Sequence, residues 1–148
     1  MTRFFNTEGC CRPDRHYMVP LDERLSVIKE QFVDREKYFV INRGRQYGKT
    51  TTLMALAEYL RAAYFVVSMD FQSIGSEEFV NAETFVHAFA EEFLLSFAEG
   101  APDAKELMRP LEDFAQNTVS GSLRELFLVL SGICRRADRP IVLMIDEV

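Results

Sequence analysis

Three apolar runs separated by amphipathic stretches constrain this chain more than any other feature. Residues 38–42 (YFVIN), 64–70 (YFVVSMD) and 141–145 (IVLMI) are apolar with little alternation. Such runs suit strands of a parallel sheet covered on both faces. Between them the period changes to helical. Leu53, Leu56, Ala57 and Leu60 recur at i, i+3, i+4, i+7. Phe85, Phe89, Phe93 and Phe97 are spaced by four within 82–98, a stripe expected to face the core, and Gly100 and Pro102 end that helix. Leu123, Leu126, Phe127, Leu130, Ile133 and Cys134 share a face of another. A helix starting near Asp22 turns Leu25, Ile28 and Phe32 to one side, and a further one over 103–117 is interrupted or kinked at Pro110. Strands alternating with helices indicate an α/β layered fold with a parallel sheet.

The chain of 148 residues fits one domain with its own core. Residues 1–20 read as an irregular segment, punctuated by Gly9, Pro13 and Pro20, that packs on the core; residues 21–148 form the domain. A net charge of −6 argues against a nucleic-acid footprint, which is normally a basic stripe. Arg135, Arg136 and Arg139 read instead as favourable charge at a helix C-terminus. No apolar run approaches the ~18 residues a membrane span needs. The N-terminus lacks the features of a secretory signal, so a cytoplasmic location is the expectation. Cys10, Cys11 and Cys134 are too sparse and odd in number for a disulfide framework. Cys10, Cys11 and His16 lack the fourth ligand that structural zinc wants.

The first strand runs into Arg43-Gly44-Arg45-Gln46-Tyr47-Gly48-Lys49-Thr50, and a helix follows, which is the layout of a phosphate-binding P-loop (Walker A). Glycines let successive backbone N–H groups point at phosphate oxygens, and the helix N-terminus favours the same anion. The Lys49 ammonium would reach the outer phosphates, and the Thr50 hydroxyl would ligate magnesium. The usual spelling, G-x-x-x-x-G-K-[ST], places its first glycine at position 43. Here that residue is Arg43, and the glycine comes one later, at Gly44. Arg43 and Arg45 add positive charge where phosphates would sit.

The last apolar run leads into Asp146-Glu147. This puts carboxylates at the carboxyl edge of a parallel sheet, where open α/β sheets bind ligands. Asp146 would hold magnesium, directly or through water, and Glu147 would polarise an attacking water as general base.

The chain resembles the bacterial AAA-like ATP-binding proteins of the P-loop ATPase superfamily. Three segments carry the resemblance: Phe5-Asn6-Thr7 through His16-Tyr17-Met18-Val19, residues 42–51 from Asn42 to Thr51, and Ile145-Asp146-Glu147-Val148. The likeness implies a three-layer P-loop NTPase fold with a parallel sheet, ending here just after the acidic (Walker B) strand. It implies ATP and Mg2+ as ligands, held by residues 43–51, with adenine packing on Tyr17, Met18 and Val19. It also implies that the intact protein hydrolyses ATP. In this group the sheet order is usually 5-1-4-3-2, so the strand between the first and third would be absent. Backbone groups on two strands would then lack partners, at a cost of about 1–3 kcal/mol each where water is excluded. The first strand could pair with the third instead, a groove could be filled by water or another chain, or the chain could be a fragment that folds poorly; self-association or a missing C-terminal portion are the partners this implies. Two rivals stand beside the enzyme: a nucleotide-gated switch or scaffold with negligible turnover, and an inactive truncated remnant.

Overall fold

The structure is a computed structural model that describes residue 5 and residues 14–42, 48–117 and 121–146. Its contacts divide into two compact units, Met1–Ala62 and Ala63–Val148, and each is described by itself. Among the described residues no helix is long and apolar enough to cross a membrane.

In the first unit, helix α1 spans Asp22–Ile28, with Asp22 and Glu23 in its first turn, where carboxylates favour the helix dipole. It continues into a wider π-helical turn, Lys29–Val33, closed by the Asp34 N–H donating to the Lys29 carbonyl over 2.8 Å. The Lys29 ammonium also reaches the Asp34 carboxylate at 2.8 Å. The wider turn shifts the buried face by one position. Leu25 and Val33 go inside, while Phe32, expected there from regular spacing, is 37% exposed. Helix α2, Lys49–Leu60, buries Thr52, Leu56, Ala57 and Leu60, and α1 packs against it.

Residues 38–42 do not form the strand that their composition suggests. Burial alternates along them: Phe39 and Ile41 are half-buried, whereas Tyr38 and Val40 are 104% and 88% exposed. The Phe39 ring lies against Phe32, with centroids 5.1 Å apart. A strand exists only through its ladder to a neighbour, and among the described residues none pairs with this segment.

In the second unit, β1 (Phe65–Asp70) and β2 (Ile141–Asp146) pair in parallel, from Phe65 opposite Ile141 to Asp70 opposite Asp146. The chain between them supplies the helical cover. Helix α3, Ala82–Gly100, starts at Asn81, whose side chain accepts the Thr84 N–H. Its Phe89, Phe93 and Phe97 join Phe65, Val67 and Met69 of β1 in the core, so the phenylalanine stripe faces inward. Residues Pro102–Met108 make a 3-10 segment. Pro110 then sits in the first turn of α4, Arg109–Gln116, rather than kinking a longer helix. A proline fits a first turn because the N–H it lacks has no helical partner there. Helix α5, Leu123–Arg136, opens with a reciprocal capping box between Ser122 and Glu125. Its buried stripe is narrower than its apolar composition. Leu126 and Ile133 are buried, but Leu123 and Phe127 are 42% and 62% exposed.

The two edges of the sheet are treated differently. Along β1, the Ser96 hydroxyl of α3 accepts the Ser68 N–H and donates to the Ser68 carbonyl, both at 2.8 Å. The outer edge of β1 is thereby met by a side chain at Ser68. On the inner side, the Phe65 N–H donates to the Pro140 carbonyl and the Phe71 N–H to the Asp146 carbonyl. In a parallel ladder with this register, the N–H and C=O groups of Ile141, Leu143 and Ile145 point away from β1.

Candidate functional site

The described part of the glycine-rich turn begins at Gly48. Its φ of +72° puts it in the left-handed region, and it is the N-cap of α2. An added Cβ at Gly48 would meet nothing within 4 Å. The requirement for glycine is therefore one of backbone conformation, not of space. The Gly48 carbonyl accepts both the Thr52 N–H at 2.9 Å and the Thr52 hydroxyl at 2.8 Å. With Thr52 buried, these bonds anchor the turn to the helix.

Lys49, Thr50 and Thr51 form the first turn of α2. Lys49 and Thr51 are half-buried and Thr50 is exposed. This N-terminus has no side-chain cap and no acidic residue in its first turn. Both features leave its positive end suited to an anion brought from outside. Of the other residues assigned to this site, Arg43, Gly44, Arg45, Gln46 and Tyr47 lie outside the described residues. In the N-terminal segment Tyr17 and Val19 are 54% and 80% exposed, and Met18 is half-buried. The Tyr17 ring packs on Phe5 at 5.0 Å. His16 beside it is buried.

In the second unit, Asp146 ends β2, half-buried. Glu147 lies outside the described residues. Asp70 stands opposite Asp146 across the ladder, so two carboxylate-bearing residues share the carboxyl end of the sheet. Asp70 already has local work. Its Oδ1 accepts the Gln72 N–H at 2.9 Å, and its carbonyl accepts from the Ser73 hydroxyl at 2.6 Å. These bonds shape the turn leaving β1. Asp70 was not singled out from the sequence as a site residue. The signal was available, because it follows an apolar strand as Asp146 does.

Among the described residues no group of three or more His, Cys, Asp or Glu is placed to hold a metal. Cys10 and Cys11 lie outside the described residues. Magnesium does not require such a cage. It commonly takes one or two protein oxygens and completes its shell with water and substrate phosphates. In the first unit the Thr50 hydroxyl, and in the second the Asp146 carboxylate, are each hard-oxygen groups of the kind magnesium takes. No protein-family model matches the chain, and no curated protein or solved structure matches it either.

Proposed function

We propose that this chain binds Mg-ATP as part of a three-layer P-loop ATPase domain related to the bacterial AAA-like ATP-binding proteins, and that the intact protein hydrolyses it. The observation that carries the reading is the left-handed Gly48 capping α2, with Lys49 and Thr50 in a first turn that has neither a side-chain cap nor an acid. That combination suits an incoming phosphate better than a plain strand-to-helix turn, which would ordinarily carry Ser, Thr, Asp or Asn at its cap. A second support is the pair Asp70 and Asp146 at the carboxyl end of two parallel strands.

In this reading residues 43–49 cradle the phosphates through backbone N–H groups, with the Lys49 ammonium on the outermost ones. Thr50 and Asp146 supply oxygens to Mg2+, Thr51 extends the first helical turn, and Tyr17, Met18 and Val19 contact the adenine. The bound metal contributes neutralisation of the charge that develops on the phosphates. Glu147 accepts a proton from the attacking water.

Magnesium dependence tests the assignment. Titration with a fluorescent ATP analogue, with and without EDTA, should show Mg2+ strengthening binding by about tenfold, or ~1.4 kcal/mol. Thr50→Ala and Asp146→Asn should each lose that increment and retain the metal-free affinity. An increment that survives in both variants would remove these two residues from the metal site.

A further inference from the structure

Negative charge is concentrated in one stretch of the second unit. Between Arg61 and Lys105 the sequence holds eight carboxylates and no lysine or arginine, which is more negative charge than the whole chain's net −6. Among the described residues none of the eight forms an ion pair. On α3, Thr84, Glu91, Leu95 and Glu99 recur at helical spacing and are all exposed. Leu95 is 64% exposed, with a glutamate one turn to either side. Glu99 stands in the last turn of α3, where the helix dipole disfavours an acid and no basic residue offsets it. At the head of this stripe the Thr84 hydroxyl donates to the Glu78 carbonyl at 2.9 Å, which ties the loop over 75–80 to the helix. That loop exposes Phe79 and Val80, with the Phe79 ring backed by Phe85 at 5.5 Å. The Glu78 Oε2 is buried without a hydrogen-bond partner. Unpaired acids around exposed apolar side chains do not stabilise the chain alone; they suit a cation brought from outside.

We propose that this face docks a cationic amphipathic helix of a partner protein. The partner sets an apolar side chain on Leu95 and lysine or arginine beside Glu91 and Glu99, and its end rests on Phe79 and Val80. Contacts one turn apart along α3 match the side-chain period of a second helix laid along it. Charge selects the class of partner. Nucleic acid and anionic membranes carry the same sign as this face and are repelled. Two such faces in a symmetric dimer would set glutamate against glutamate. A cation beside Glu99 is favoured twice, by the carboxylate and by the C-terminal end of α3. The face belongs to the β1 side of the sheet. Ser96, next to Leu95, bonds the outer edge of β1 at Ser68, so a strand added along β2 leaves it uncovered. The proposal is independent of the nucleotide reading.

The test is fluorescence anisotropy of a labelled synthetic peptide titrated with the full chain. The probe is an alanine-based helix of about 18 residues that carries leucine with lysine one turn before and after it. A twin peptide has glutamate in place of lysine. The lysine peptide should bind saturably and more weakly as salt rises, and the glutamate peptide should not bind. Leu95→Ser, and Glu91→Gln combined with Glu99→Gln, should each raise the dissociation constant at least about tenfold, with an unchanged circular-dichroism spectrum. Leu128→Ser, at an exposed leucine of α5, should leave it unchanged. No saturable binding of the lysine peptide overturns the proposal. So does equal binding of the glutamate peptide, and so does binding indifferent to the α3 substitutions or lost in Leu128→Ser. Sedimentation velocity supplies the remaining outcome. Self-association that Leu95→Ser abolishes, without peptide binding, would make the occupant a second copy and would also overturn the proposal.

Discussion

Replacing Glu147 by glutamine is expected to lower ATP turnover by about 10²–10⁴-fold, the usual worth of a positioned general base, while ATP affinity stays within about twofold of the wild type. Glutamine keeps the size and much of the hydrogen bonding of glutamate but cannot accept the proton of the attacking water at neutral pH. In the proposed reading, ground-state affinity comes from phosphate contacts at residues 43–50, which the substitution leaves in place. Phosphate release and analogue binding, measured on the same preparations, separate the two effects. Equal turnover in both proteins would remove Glu147 from the chemistry. Tight binding with no turnover in either would favour a nucleotide-gated switch over a hydrolase.

The second large effect concerns the scaffold. Phe97→Ala should destabilise the unit Ala63–Val148 by about 3–5 kcal/mol, the range for deleting a fully buried aromatic ring. Phe97 is 1% exposed, and its ring lies 5.3 Å from that of Phe65 on β1. The void would open where α3 meets the sheet. Against a typical stability of ~5–15 kcal/mol, this removes a large share of what holds β1 and β2 in register. Urea unfolding followed by circular dichroism measures it. Phe85→Ala is the control, because Phe85 is only half-buried and has less apolar contact to lose. A loss below about 1 kcal/mol at Phe97 would mean that the α3–β1 contact is not the centre of this core.

The features legible in the sequence are those that local pattern decides. The runs at 65–70 and 141–145 form strands, and the phenylalanine stripe of α3 faces inward, because continuous burial and four-residue spacing leave few other solutions. The opening of α2 at Gly48-Lys49 was equally readable, since a left-handed glycine before a helical period is a local signal. Residues 38–42 carry the same apolar composition, but a strand needs a partner, and pairing is a property of the whole sheet. The shift of the buried face from Phe32 to Val33 depends on a π turn that no simple period announces. The exposure of Phe127 shows that an apolar face can be wider than the core it meets.

At the candidate site, the helix opening at Lys49 and the acid that ends β2 are both legible in the local sequence. Asp70 carries the same local signal, a carboxylate closing an apolar run, but its neighbour across the ladder is not written in the local sequence. That neighbour, Asp146, is set by the parallel register, which links residues far apart in the chain.

The central claim is that the turn at Gly48-Lys49 binds the phosphates of a nucleotide. Equilibrium titration of the chain and its Lys49→Ala variant with a fluorescent ATP analogue in Mg2+ tests it most directly. Removing one charge-assisted phosphate contact should cost about 1.5–3 kcal/mol, which is roughly a 10–150-fold weakening, with the folded spectrum unchanged. Saturable wild-type binding with that loss in the variant is the predicted result. Equal affinity in the two proteins, or no wild-type binding at millimolar nucleotide, would contradict the account.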